Sequence, residues 1–187
     1  MQIQKTNNVQ FGAKFISPAT IKVKVGKRWK DAQVNFIKFD TSKQRDVSAL
    51  EGVEALWGRK NLSSNVLEEA HILGGRAQVY AVTTQESDFD VVDARKILGL
   101  MSTDKIKKGK PEVEIFKIGT NPAFAYAQKK RKREVRHIAT SMYEAFQNLA
   151  SKSKAKPIVT YIDPEDTKFL AKLGVEPKSK NFVDFLG

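Results

Sequence analysis

Apolar and polar side chains alternate at every step of Thr20-Ile21-Lys22-Val23-Lys24-Val25, the period of a strand with one face buried. Gly26-Lys27 is a turn signal. The stretch from Trp29 to Phe39 then reads as a second strand, with Val34, Phe36, Ile37 and Phe39 apolar, so the two predict an N-terminal hairpin. The period then changes. Asp40-Thr41-Ser42 offers helix caps, Val47, Leu50, Val53 and Trp57 follow at helical spacing, and Gly58 stops the run. Ser63-Ser64 cap a second predicted helix that carries Glu68 and Glu69 early and ends at Gly74-Gly75.

Strand patterns return at Gln78–Thr84, at Lys96–Ser102 and, after the turn Gly109-Lys110-Pro111, at Val113–Ile118, closed by Asn121-Pro122. A helix is predicted from roughly Arg133 to Ser151. Its apolar face takes Val135, Ile138, Met142, Ala145, Phe146 and Leu149. Pro157–Ile162 is a buried-type strand. Asp163-Pro164 opens a late helix with Phe169, Leu170 and Leu173 apolar and Gly174 as its stop, and Phe182–Phe185 is a short last strand.

Three consecutive strands suit an antiparallel meander, and strand–helix–strand over 112–162 suits a parallel crossover. The predicted class is α/β (α+β): a mixed, mostly antiparallel central sheet with helices on both faces. Residues 19–187 form one domain in this reading, and 1–18, polar and poorly patterned as far as Pro18, an N-terminal arm.

Composition narrows the chemistry. The 187 residues are 41% hydrophobic, enough for a core. The absence of cysteine excludes disulfides, thiolate metal sites and cysteine nucleophiles. With two histidines, His71 and His137, a histidine-rich metal site is excluded as well. No apolar run approaches the ~20 residues that span a bilayer, and Met1–Asn8 has no apolar signal core. The expectation is a soluble, cytoplasmic protein with no membrane partner. Walker-type and dinucleotide-type glycine loops are absent, as is a nucleophile elbow.

The net charge is +12, and eight of those charges fall in residues 105–137, which hold eleven Lys or Arg against three Glu. A positive field confined to one stretch favours a polyanion: nucleic acid, a phosphorylated cofactor or an anionic surface. The densest part, Lys129-Lys130-Arg131-Lys132-Arg133, ends where the helix pattern begins at Glu134-Val135-Arg136-His137-Ile138-Ala139. Free N–H groups and the positive dipole end at a helix start attract anions, and the neighbouring cations suit them to phosphates.

The element order over roughly 32–187 resembles the GNAT superfamily of N-acetyltransferases, and residues 112–175 resemble it best. Val113–Ile118 with the Asn121-Pro122 turn resembles the fourth strand of that fold. Arg136-His137-Ile138-Ala139 resembles the pyrophosphate loop, often Arg-Gly-Ile-Gly or Arg-Gly-x-Ala, and Lys172-Leu173-Gly174-Val175 resembles a late Lys-Leu-Gly-Phe. The resemblance implies a V-shaped opening between the fourth and fifth strands. Acetyl-CoA would lie there, its thioester hydrogen-bonded to the fourth strand. Ile118, Arg133, Arg136, His137, Ile138, Ala139 and Thr140 would form the cofactor-binding set. The chain departs from the family at three points. His137 stands where a glycine is usual, Glu134 heads the motif in place of Gln or Arg, and Leu170 replaces the late-helix tyrosine.

Transfer of an acetyl group to a primary amine needs a proton acceptor, for which Glu112 and Glu114 are candidates, and an acid for the departing thiolate, for which Tyr126 and Tyr161 are candidates. Glu114 and Tyr161 are the catalytic pair expected here. The plainer alternatives are glutamates that balance nearby lysines and tyrosines that pack. Tyr143 is expected to be partly exposed. His71, three residues after Glu68, does not make a metal site alone, and no metal is expected. Trp57, with Leu50 and Val53, reads as a core or groove-lining stripe, and Thr83-Thr84-Gln85 as a structural turn rather than the border of an acceptor site. Two other functions compete with the transferase: a basic nucleic-acid-binding module, with Phe124 and Tyr126 beside the cations, and a catalytically silent domain of the same fold.

Overall fold

The computed structural model describes residues 12–58, 77–124 and 134–159, together with Ala171 and Leu173. Seven strands form one sheet: β1 (Lys14–Val25), β2 (Arg28–Phe39), β3 (Gln78–Thr83), β4 (Ile97–Thr103), β5 (Glu112–Thr120), β6 (Val135–Arg136) and β7 (Lys156–Ile158). Their order across the sheet is β6-β1-β2-β3-β4-β5-β7. The α-helices that lie wholly within the described residues are α1 (Gln44–Trp57) and α2 (Ile138–Ser151). The class is α+β with a mixed sheet. β1 to β5 pair antiparallel in sequence, β6 pairs antiparallel with β1, and β5 pairs parallel with β7 through the α2 crossover.

Side-chain alternation divides the strands between two cores. On one face Ile21, Val34, Phe36, Tyr80, Val82, Leu98, Met101, Val113 and Ile115 bury against Ile138, Met142, Ala145 and Phe146 of α2. On the other, Ile37, Phe39, Val79, Ala81, Ile97 and Leu100 bury against Leu50, Val53 and Trp57 of α1. The predicted hairpin, meander and parallel crossover are all present. Trp57 is core.

Three boundaries differ from the sequence reading. β1 begins at Lys14, inside the segment assigned to an arm, because Ala13 donates its N–H to the Phe89 carbonyl and the Phe15 ring stacks on Phe89 at 6.1 Å. Asp40 and Ser42 do not cap α1. Lys43 is its N-cap residue, and Asp40 instead accepts from the Ser42 N–H (3.1 Å) and hydroxyl (2.6 Å). The second helix starts at Ile138, not near Arg133: Val135 pairs with Val23 across β6–β1, and a left-handed residue, His137, separates that strand from the helix. The predicted helix after Ser63-Ser64, the late helix, the last strand, the cation run Lys129–Arg133, and Glu68, His71, Tyr126, Tyr161 and Leu170 lie outside the described residues.

Candidate anion site at the start of the second helix

β5 determines what surrounds this site. Ile115 pairs with Thr103 and Lys117 with Ser102, so Phe116 is an extra residue, a bulge that bends the strand. Pairing with β7 covers Glu112↔Lys156, Val113↔Pro157 and Glu114↔Ile158. Beyond the bulge, among the described residues, Lys117–Thr120 pair on the β4 side alone. Among the described residues, the ladder on the β7 side covers Glu112–Glu114, before β5 bends.

The first turn of α2 packs down onto this part of the sheet. A Cβ on Gly99 would meet Ile138 Cγ2 at 2.9 Å, the Gly119 carbonyl oxygen at 3.1 Å and Met142 Cε at 3.1 Å. Gly99 therefore admits the helix start at close range, where any side chain would hold it off. Ile138 and Ala139 are buried, Thr140 is half-buried, and Arg136 and His137 are exposed.

His137 is the N-cap residue, with φ 65° and ψ 20°. Its carbonyl takes the first helical bond, from the Ser141 N–H at 2.9 Å. The His137 side chain makes no cap hydrogen bond, and no acidic residue stands in the first turn of α2. The N–H groups of Ile138, Ala139 and Thr140 lie in that turn, where a helix has no internal acceptor to offer them. The His137 backbone is left-handed, a region glycine enters freely and histidine enters more often than most residues.

Arg136 goes elsewhere. Its guanidinium carbon lies 4.1 Å from the centroid of the Trp29 ring. The sequence pattern gives Trp29 only as the start of a strand; its contact with Arg136 joins β6 to the distal half of the hairpin, and nothing local signals it. Ile118 packs half-buried against the α2-side core. Glu114 is half-buried, directly before the bulge, on the face opposite Val113 and Ile115. It lies four residues upstream of Ile118 along β5, roughly 13 Å at the strand rise. The structure brings His137, Ile138, Ala139, Thr140 and the bulged half of β5 together; Arg133 and Tyr161 lie outside the described residues.

Other candidates resolve into packing. Tyr143, expected to be partly exposed, is 7% exposed, and burial raises its hydroxyl above the ordinary tyrosine range. Tyr80 is pushed up to about 12 by burial between Phe36 and Phe146. Thr83 and Gln85 build a turn. The Thr83 hydroxyl donates to the Lys96 carbonyl (3.1 Å), while the Gln85 amide donates to the Ser87, Asp88 and Val91 carbonyls and accepts from the Asp93 N–H (2.9 Å). An open polar depression of about 440 Å³ lies over that turn. Among the described residues no group of three or more potential metal ligands occurs, and no helix is long and apolar enough to cross a membrane. No protein-family model and no curated protein sequence matches this chain.

Proposed function

We propose that this chain is a GNAT-like N-acetyltransferase that moves an acetyl group from acetyl-CoA to a primary amine. The observation that carries the proposal is His137: a left-handed residue at the glycine position of the motif, opening a helix with no cap hydrogen bond from its N-cap side chain, beside a bulged strand. The Ile138, Ala139 and Thr140 N–H groups and the helix dipole would receive the diphosphate, as helix starts do. Arg133 would neutralise a further phosphate. The backbone of β5 beyond Glu114 would offer donors and acceptors for the amide-bearing arm that links diphosphate to thioester. The roughly 13 Å between Ile118 and Glu114 gives that arm room.

In the transfer, the amine nitrogen forms a bond to the thioester carbon and the carbon–sulfur bond breaks. Glu114 takes the proton lost by the nitrogen, through water, and Tyr161 supplies one to the departing sulfur. Calorimetry with acetyl-CoA tests the first half of the reading. Binding is expected, weaker in Arg133→Ala, and no heat at millimolar ligand overturns it. Thiol release with a panel of small amines tests the second half. Glu114→Gln is expected to lower turnover about a hundredfold with binding unchanged. Binding without turnover of any amine leaves a silent domain of the same fold.

A further inference from the structure

The distal half of the β1–β2 hairpin carries a charge pattern that the transferase reading does not use. Lys22, Lys24, Lys27, Arg28, Lys30 and, on the adjoining β6, Arg136 face two carboxylates, Asp31 and Glu134. Asp31 is taken by Lys22 at 2.7 Å. Among the described residues Lys24, Lys27, Arg28, Lys30 and Arg136 have no carboxylate within ion-pairing distance.

Three of these cations, Lys22, Lys24 and Arg136, share a face with an aromatic ring. Lys24 lies opposite Trp29 in the β1–β2 register, and Lys22 lies opposite both Asp31 and Arg136. By strand alternation Lys22, Lys24, Trp29, Asp31 and Arg136 share the face turned away from Ile21 and Val34 of the α2-side core. The Arg136 guanidinium, planar by its own resonance, is held over the Trp29 ring, which places its donors beside an aromatic surface. β2 pairs with β3 only over Asn35–Phe39, so the ribbon projects past the meander, and the acidic turn Glu86–Asp93 lies at its base rather than its tip.

We infer that this face of the hairpin binds single-stranded nucleic acid, with lysines along the phosphates and the Trp29–Arg136 pair under a base. An acidic protein or an anionic membrane would satisfy the lysines but makes no use of a half-buried indole and guanidinium stack in a polar face. A base has a π-face that does.

The test uses the full chain and a labelled oligothymidylate of about fifteen nucleotides, followed by fluorescence anisotropy between about 50 and 200 mM salt. Binding is expected with a steep salt dependence. Combined Lys24→Ala and Lys27→Ala substitutions are expected to lower the log–log salt slope by about 1.4, at roughly 0.7 per lost phosphate contact. Trp29→Ala should weaken binding about tenfold. Trp29→Phe, which keeps an aromatic face and guards against misfolding of the alanine variant, should restore most of it. Heparin, a polyanion without bases, should lose affinity in the lysine variant and not in Trp29→Ala. The inference is overturned if wild-type protein does not bind, if the lysine variant keeps the wild-type slope, or if Trp29→Ala and Trp29→Phe bind alike. The lysine variant leaves acetyl-CoA calorimetry unchanged, so failure of either reading is seen separately.

Discussion

The two helices begin in opposite ways. Before α1 the chain answers its own needs: Asp46, in the first turn and 1% exposed, reaches back to accept the Asp40 N–H, and Asp40 ties down Ser42. The first turn of α2 holds no acidic residue and its N-cap side chain makes no cap hydrogen bond; a left-handed histidine leads into a turn pressed against two glycine-containing strands. Both starts are held firmly, one by side-chain hydrogen bonds and the other by close packing. A helix start fixed by packing keeps its N–H groups for something else, and that difference separates a structural terminus from a candidate site.

The largest expected effect removes the packing that fixes the second start. Gly99→Val places a branched side chain where even a Cβ lies 2.9 Å from Ile138. Overpacking of this kind costs about 2–3 kcal/mol, and chemical denaturation should show it as a lower midpoint. The displaced helix start should lose acetyl-CoA binding as well. Normal stability in this variant would mean that α2 is not seated on β4 as described.

The next effect attacks the first start. Asp46→Ala removes a buried carboxylate from the Asp40 N–H and should cost about 2 kcal/mol at neutral pH without touching ligand binding. Burial, opposed by the Asp40 hydrogen bond, raises the Asp46 carboxyl above its ordinary 3.8. An acid raised in the folded state contributes stability that is fully present below the unfolded value and is lost as pH rises through the folded one. Denaturation series should therefore show an Asp46 contribution that grows on acidification just above pH 3.8, and Asp46→Asn should abolish it. Asp40 runs the other way. The Ser42 hydroxyl and N–H hold its carboxyl below 3.8, so its contribution is lost as pH falls through that lower value.

Much of this contrast was legible in the residues, and most of the unreadable parts share a cause. Alternation at Thr20–Val25 and the 3.6-residue spacing of Ile138, Met142, Ala145 and Phe146 are local signals, and the structure follows them. Val135 fits the same helical spacing but pairs with Val23, a partner more than a hundred residues away that no window reveals. The bulge at Phe116 exists only relative to Thr103 and Ser102. Arg136 was visible as a cation, but its contact with the Trp29 indole was not. Asp40 was rightly seen near a helix start, yet its carboxylate serves the loop before the cap. Asp40 is a local miss, two residues from Ser42; the others depend on long-range pairing and the register it sets.

A smaller effect concerns a buried hydroxyl on α2. Ser141 is 3% exposed and, among the described residues, its hydroxyl has no hydrogen-bond partner. Asp46 near the start of α1 is buried with a partner, so the two polar groups should respond with opposite signs. Ser141→Ala removes an unsatisfied group and installs a better helix former, and should stabilise by about 1 kcal/mol. A loss of stability would reveal a bond to this hydroxyl and bring the two starts closer in kind.

The smallest effect on stability is the most pointed test of the site. His137→Gly relieves a left-handed backbone at φ 65°, a gain of about 1 kcal/mol, against a comparable entropic loss because glycine is freer when unfolded. The net change should stay within about 0.5 kcal/mol. Lys154, beyond the other end of α2, has φ 57°, so Lys154→Gly carries the same backbone exchange at a place with no proposed ligand. If the helix start receives a diphosphate, glycine at 137 lets the anion approach without an imidazole in its way, and acetyl-CoA affinity should rise several-fold in His137→Gly alone. Equal affinities in the two variants would leave the left-handed histidine as a device for turning the chain from β6 into α2, and the open helix start as a matter of packing.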